Sequence, residues 1–257
     1  MRLQIFSDAH IDYPGARGLP PLTAGARVVV VAGDTCEGLI GAVSALRRKY
    51  PPSAEIVVVA GNHEFFGTTW SDELEAGKLA ALRLGIHLLE NDTVTVGRLR
   101  VIGATLWTDY ELFGAELRAP AMRTAQHAMI DHSRIVWQQE PSQPFLPNQA
   151  QILHRESRAF IERELAKPHE GPTLVLTHHA PCLEAIAPFR NNDILSAAYG
   201  SDLLTIIDRY QPDLWVSGHT HFSMNLKRGR TRLISNPIGY GDENPLFDPL
   251  FRVDIDA

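Results

Sequence analysis

Hydrophobic residues in this chain fall in short, dense runs: Leu3–Phe6, Val28–Ala32, Ile56–Ala60, Val101–Gly103, Thr173–Leu176, Leu214–Val216 and Leu233–Ile234. Most are rich in Val, Ile and Leu and lack clean alternation, the pattern of strands buried on both faces. Helical periodicity lies between several of them. Leu39–Lys49 places Ile40, Val43 and Leu46 on one face. Ser71–Leu84 places Leu74, Leu79 and Leu82 similarly, with Ser71 and Asp72 as candidate N-caps. Leu203, Ile206 and Ile207 form another stripe before Pro212. Alternating strands and helices predict an α/β fold with a largely parallel core.

Two regions modify that picture. Thr93–Gly103 reads as a hairpin, with Gly97-Arg98 between Val94/Val96 and Leu99/Val101. Further strands are expected around Arg230–Ile234 and Leu250–Ile255, so the sheets should be mixed. The segment 107–171 reads as an insertion of two helical pieces, Ala115–Gln139 and Asn148–Lys167, joined by a Pro-rich turn. It is expected to pack beside the sheet, with a lid, a dimer contact and plain packing all open as its role. Its histidines, His127, His132, His154 and His169, are expected at the surface. His154 and Arg158, four apart, would face a substrate if the segment is a lid. Trp70 and Trp107 are expected to pack rather than to line a pocket.

The 257 residues suffice for one large domain, 1–257, and need no disulfide staple at that size. A hydrophobic share of 44% and a charged share of 21% are those of a soluble globular protein. The net charge of −6 is opposite to that of a non-specific nucleic-acid binder, although bound cations would change the local field and leave a nuclease open. Cys36 and Cys182 are too few for a disulfide framework and are expected to be reduced, inert thiols. No apolar run approaches the roughly 18 residues of a membrane span. Nor does the N-terminal sequence have a signal-peptide layout, so a cytoplasmic location is expected. The oligomeric state is not legible.

The candidate chemistry sits where apolar runs end. Leu3–Phe6 leads into Asp8 and His10, and Val28–Ala32 into Gly33-Asp34. Ile56–Ala60 leads into Gly61-Asn62-His63-Glu64. Leu174–Leu176 leads into His178-His179, and Leu214–Ser217 into Gly218-His219-Thr220-His221. In open α/β sheets ligands bind beyond the carboxyl ends of strands, so five such ends imply one shared site. Carboxylate and imidazole donors suit zinc, manganese or iron(II). Asp8 and His10, spaced i, i+2, point the same way in extended backbone, as do His219 and His221. Asp34 has two oxygens with which to bridge two cations, and Asn62 offers a neutral one. The glycines before Asp34, Asn62 and His219 allow close backbone approach.

The series Asp8-x-His10, Gly33-Asp34, Gly61-Asn62-His63-Glu64, His178, Gly218-His219-x-His221 resembles the calcineurin-like metallophosphoesterases from residue 7 to residue 221. The resemblance implies a four-layer β-sandwich of two mixed sheets flanked by helices. It implies a binuclear, metal-dependent phosphoesterase, phosphodiesterase or phosphatase, acting on a small phosphate ester with a metal-activated hydroxide. Asp8, His10 and His221 would hold one ion; Asn62, His178 and His219 the other; Asp34 would bridge them. His63 would stabilise the transition state or protonate the leaving group. His178 is favoured over His179 because it comes first after the strand. One departure is visible. Many members follow the bridging aspartate with an acidic-Arg pair, whereas this chain has Thr35-Cys36-Glu37-Gly38, so phosphate recognition must come from elsewhere. A nuclease of the same fold and a non-catalytic metal-binding scaffold are the competing readings.

Overall fold

Each apolar run becomes a strand in the computed structural model, which describes residues 1–256. The first half runs β1 (Arg2–Phe6), β2 (Val28–Ala32), α1 (Leu39–Lys49), β3 (Glu55–Val59), α2 (Trp70–Arg83), β4 (His87–Leu89), β5 (Asp92–Val96) and β6 (Leu99–Ala104). The second half runs α3 (Arg118–Ala128), α4 (Asp131–Arg134), β7 (Val136–Gln138), β8 (Gln143–Pro144), α5 (Pro147–Leu165), β9 (Thr173–Thr177), α6 (Leu204–Tyr210), β10 (Leu214–Val216), β11 (Met224–Arg228), β12 (Thr231–Ser235) and β13 (Arg252–Asp254).

Eleven strands form two mixed sheets, β13-β1-β2-β3-β4 and β11-β12-β10-β9-β6-β5, and β7 and β8 form a separate antiparallel pair. Within them β1, β2, β3 and β4 are parallel, as are β6, β9, β10 and β12, while β13, β11 and β5 pair antiparallel. The pleat explains the layers. In β2, Val28 and Val30 face the core between the sheets, where they meet Leu174, Leu176 and Val216. Val29 and Val31 face outward onto Leu39, Val43 and Leu46 of α1. In β9, Val175 turns outward to Ile161 of α5 and Ile206 and Ile207 of α6. Both faces of each central strand are therefore apolar, which is why its sequence shows no alternation. The result is helices, sheet, sheet, helices. The β5–β6 hairpin closes at Gly97, with φ near 61°, as a two-residue turn requires.

The helix faces differ from expectation. On α1 the buried set is Leu39, Ala42, Val43, Ala45 and Leu46, and Ile40 is exposed. On α2, Leu79 and Leu82 are exposed while Gly77 and Ala81 are buried. The cause is close helix packing: a Cβ at Gly77 would stand 2.5 Å from Leu39 Cβ, so small residues form the seam, Leu74 packs against the core as expected, and Leu79 and Leu82 point away. Helix α2 begins after Thr69, and Ser71 and Asp72 lie in its first turn rather than capping it.

The segment 107–171 also departs from a simple helix pair. Its first helix ends at Ala128, where Met129 turns to extended backbone, and only the single turn α4 follows. The chain then pairs with the loop before α2: Val136 N–H donates to Thr68 O at 2.9 Å, and Trp137 stacks on Trp70 at 5.5 Å. These tertiary contacts outweigh helical propensity. His132 and His154 are buried rather than at the surface, while His127 is exposed. His132 Nδ1 meets Phe145 O at 2.9 Å, and His154 Nδ1 meets Leu106 O at 3.0 Å. His154 and Arg158 face Asp109, at 3.4 and 3.9 Å, not a substrate. Trp107 packs against Phe65 and Phe145, as expected.

Candidate metal centre

The carboxyl ends of β1, β2 and β3 in one sheet meet those of β9 and β10 in the other. Gly218 N–H donates to His178 O at 2.9 Å, and His178 Nδ1 lies 2.7 Å from Ala32 O. His219 N–H donates to Asp8 Oδ1 at 2.9 Å. Glycines permit the approach. A Cβ at Gly33 would stand 2.5 Å from His178 Nδ1, one at Gly218 would stand 2.7 Å from Asp8 Oδ2, and one at Gly61 would overlap Asp34 Oδ1. Asp8, His10, Asp34, His219 and His221 all have left-handed backbone, with φ of 53°, 39°, 54°, 67° and 49°, not the extended backbone expected of the Asp8/His10 and His219/His221 pairs, and His219 and His221 enter different groups. Such conformations cost about 1–3 kcal/mol each and concentrate at functional sites.

The side chains converge in two groups. In the first, His10 Nε2 lies 3.1 Å from His221 Nε2, which lies 3.4 Å from Asp8 Oδ1. In the second, His178 Nε2 lies 3.1 Å from both Asn62 Oδ1 and His219 Nδ1. Asp34 Oδ2 stands between them, 3.4 Å from His178 Nε2 and 3.7 Å from His10 Nε2. His63 approaches the first group, with its ring 4.4 Å from that of His10. All eight residues singled out in the sequence are thus in one place. His178, not His179, reaches the cluster; His179 Nδ1 faces Thr105 O at 3.3 Å, and its ring lies against Trp107.

The donor set fits a divalent cation. Atoms held about 2.0–2.1 Å from one cation stand roughly 2.9–3.4 Å apart, the spacing seen within each group. With Nδ1 donating to Ala32 O, neutral His178 presents a lone pair at Nε2. That lone pair faces two more acceptors, Asn62 Oδ1 and Asp34 Oδ2, and converging acceptors need a positive charge between them. Without a cation, protons supply it. Burial pushes the His178 imidazole down, but the Asp34 carboxylate overrides this and raises it to about 9. His221 is likewise opposed by burial and raised to about 10 by Asp8 and Glu243. His10, where burial dominates, is lowered to about 4.

Three supporting residues carried no assigned role in the sequence reading. Glu243 Oε2 lies 2.6 Å from His221 Nδ1 and orients that ring, a recurrent device around metal-binding histidines. Tyr240 stacks on His10 at 4.4 Å, and its hydroxyl lies 3.1 Å from His63 Nε2. Glu64 accepts from the backbone N–H groups of Asp34, Thr35 and Gly61 at 3.0, 2.7 and 2.7 Å and so ties two of the strand ends together. Burial and nearby Asp34 push its carboxyl up to about 8, against the pull of those donors. Glu64 stood within the Gly61-Asn62-His63-Glu64 motif and Tyr240 at the end of the run Asn236-Pro237-Ile238-Gly239-Tyr240, neither with a role, while Glu243 lies on a loop with no periodicity to mark it. Cys36 and Cys182 are buried and their thiols raised by burial to about 12, which keeps them protonated and inert.

Five strand ends of one sandwich thus converge on His/Asp groups able to hold a metal ion. The chain belongs to the calcineurin-like phosphoesterase family, whose model matches residues 1–223. It is 24% identical over 220 residues to an uncharacterized protein of Acanthamoeba polyphaga mimivirus, an alignment covering 79% of this chain and 74% of that one. Among solved structures it is similar to a phosphopantetheinyl hydrolase of Mycobacterium tuberculosis, with a TM-score of 0.71 and 21% identity over 94% of this chain and 90% of the other. A putative 5'-nucleotidase of Staphylococcus aureus gives a TM-score of 0.48 at 15% identity, over 93% of this chain and 49% of that one. Among the described residues no helix is long and apolar enough to cross a membrane.

Proposed function

We propose that this phosphoesterase works with two divalent cations, manganese, zinc or iron, and hydrolyses a phosphomonoester or phosphodiester. The observation that carries the reading is the position of Asp34, whose Oδ2 faces both histidine groups from the space between them. Asp8, His10 and His221 would hold one ion, Asn62, His178 and His219 the other, and Asp34 would reach both. Bound there, two cations neutralise phosphoryl oxygens and lower the pKa of water towards neutrality.

The chain's own residues do the rest. The His63 N–H donates to Asp34 Oδ1 at 3.0 Å, which fixes the backbone from which the imidazole projects. Its Nε2 meets the Tyr240 hydroxyl at 3.1 Å at the edge of the cavity. From there His63 holds a proton at Nε2 and delivers it to the leaving oxygen, or opposes the charge that develops on it. Glu243 keeps His221 oriented with Nε2 towards the cluster. The 107–171 segment acts as part of the same unit, since Ala128–Asp131 form one side of the cavity.

The test is hydrolysis of p-nitrophenyl phosphate and bis-p-nitrophenyl phosphate by chelator-stripped protein before and after manganese, zinc or iron(II) is restored. Restored turnover with about two ions bound per chain supports the reading. Full turnover with one ion per chain would remove the binuclear part of it.

A further inference from the structure

A cavity of about 510 Å³ opens over the histidine cluster, with Asp34, Asn62, His63 and His219 among its lining. Sites that enclose a small organic molecule span roughly 300–1,000 Å³. The space therefore exceeds what a phosphoryl group requires and is shaped for the rest of the substrate.

The apolar part of the lining comes from segments far apart in sequence. Ile130 lies between α3 and α4, Phe189 lies in the loop after β9, and Leu246 lies between β12 and β13. They are 52%, 84% and 66% exposed. Single exposed apolar residues are ordinary on protein surfaces. Three drawn from separate loops line one cavity and stay exposed, so their apolar surface faces a common space, and clustered exposed apolar surface marks binding sites.

The charges on the wall narrow the choice. Among the described residues Arg190 is the only Lys or Arg lining the cavity, and Asp131 and Glu243 line it too. The Arg190 guanidinium lies over the rings of Phe189 and Tyr199, 5.6 Å from each centroid. A nucleic-acid strand or polyphosphate needs a succession of cations along its path. This lining offers one Lys or Arg, three acidic residues (Asp34, Asp131 and Glu243) and apolar side chains.

We propose that the substrate is a phosphate ester whose organic part is an apolar chain or ring, received by Ile130, Phe189 and Leu246 while its phosphoryl group meets the histidine cluster. The proposal rests on the reading of that cluster as the phosphoryl site, and its test separates the two. Binding of n-alkylphosphonates from ethyl to octyl to the manganese-loaded protein is measured by calorimetry, because a phosphonate keeps the anionic head and is not hydrolysed. Affinity should rise roughly two- to fourfold per methylene until the rim is covered. The double variant Phe189→Ser, Leu246→Ser should flatten the series. Leu82→Ser, which removes an exposed leucine from the outer face of α2, should leave the slope as it is. Equal affinity from ethyl to octyl, or an unchanged slope in the double variant, overturns the proposal, as does a tetrathymidylate that binds more tightly than octylphosphonate. Hydrolysis of p-nitrophenyl phosphate is followed in parallel. Turnover without a chain-length slope removes this proposal and leaves the cluster reading. A slope without turnover supports the apolar wall and removes the proposed chemistry.

Discussion

The Tyr240 hydroxyl lies 3.1 Å from His63 Nε2 while the same ring stacks on His10 at 4.4 Å. One side chain thus touches the proposed proton donor by its polar tip and a proposed metal ligand by its face. Tyr240→Phe keeps the stack and removes the hydroxyl. We expect kcat to fall about tenfold with KM and bound metal little changed, within the range for residues that orient a reacting group. Steady-state kinetics with metal analysis checks this. Loss of metal in the variant would mean that the hydroxyl, not the stack, supports His10.

Replacing His63 itself removes a group that reaches the cavity but belongs to neither set of proposed ligands. His63→Ala should keep its metals and lose about 10²–10⁴ in kcat, the usual contribution of a positioned acid. Elemental analysis beside the kinetics is decisive: a variant that loses an ion shows His63 to be a ligand.

Asp34 is buried between the two groups, so Asp34→Asn keeps the shape and removes the shared negative charge. Turnover should fall to background, and at least one ion per chain should be lost. An active variant with both ions would remove the bridging role.

Metal loading should also show in stability. At a free cation concentration about a hundred times Kd, each bound ion adds about 2.7 kcal/mol, which for a domain of this size raises Tm by roughly 5–10 °C per ion. Differential scanning calorimetry with and without chelator measures the shift. Identical melting under both conditions would mean that the cluster holds no ion in the folded protein.

Glu90 gives a pH dependence away from the centre. It is buried and accepts from Thr105 N–H at 2.8 Å and Thr105 Oγ1 at 2.6 Å. Burial raises its carboxyl above the ordinary value of 4.5 against those two bonds. A raised folded-state pKa means that the native protein binds the proton more tightly than the unfolded chain. The stabilisation is complete below pH 4.5 and is lost as pH rises through the folded value. Glu90→Gln keeps an oxygen acceptor and removes the titration. Urea unfolding at pH 5 and pH 7 should show a smaller difference in the variant than in the parent chain.

The sheets and the cluster were legible because both follow from local sequence. Strands buried on two faces must be apolar throughout, and Asp8, Asp34, Asn62, His178 and His219 each stand just beyond such a run. What failed was set by partners distant in the chain. The outward turn of Leu79 and Leu82 follows from Gly77 packing on Leu39, which no periodicity count on α2 alone reveals. His154 is buried because a carbonyl 48 residues away accepts its Nδ1–H. Tyr240, Glu243 and the apolar rim lie on irregular loops, where nothing in the spacing says which side chains will meet.

The left-handed backbone at Asp8, His10, Asp34, His219 and His221 has a consequence for which sequences this site tolerates. Beyond glycine, the residues most at ease at positive φ are asparagine, aspartate and histidine. Those are also the oxygen and nitrogen donors that zinc, manganese and iron accept. Two selections with unrelated origins, one steric and one electronic, therefore converge on the same small alphabet. A drift to alanine or valine at any of these five positions is opposed twice over, once by the turn and once by the cation. Glycine satisfies the turn alone, which makes it the replacement through which a descendant of this chain would keep its fold and lose its chemistry.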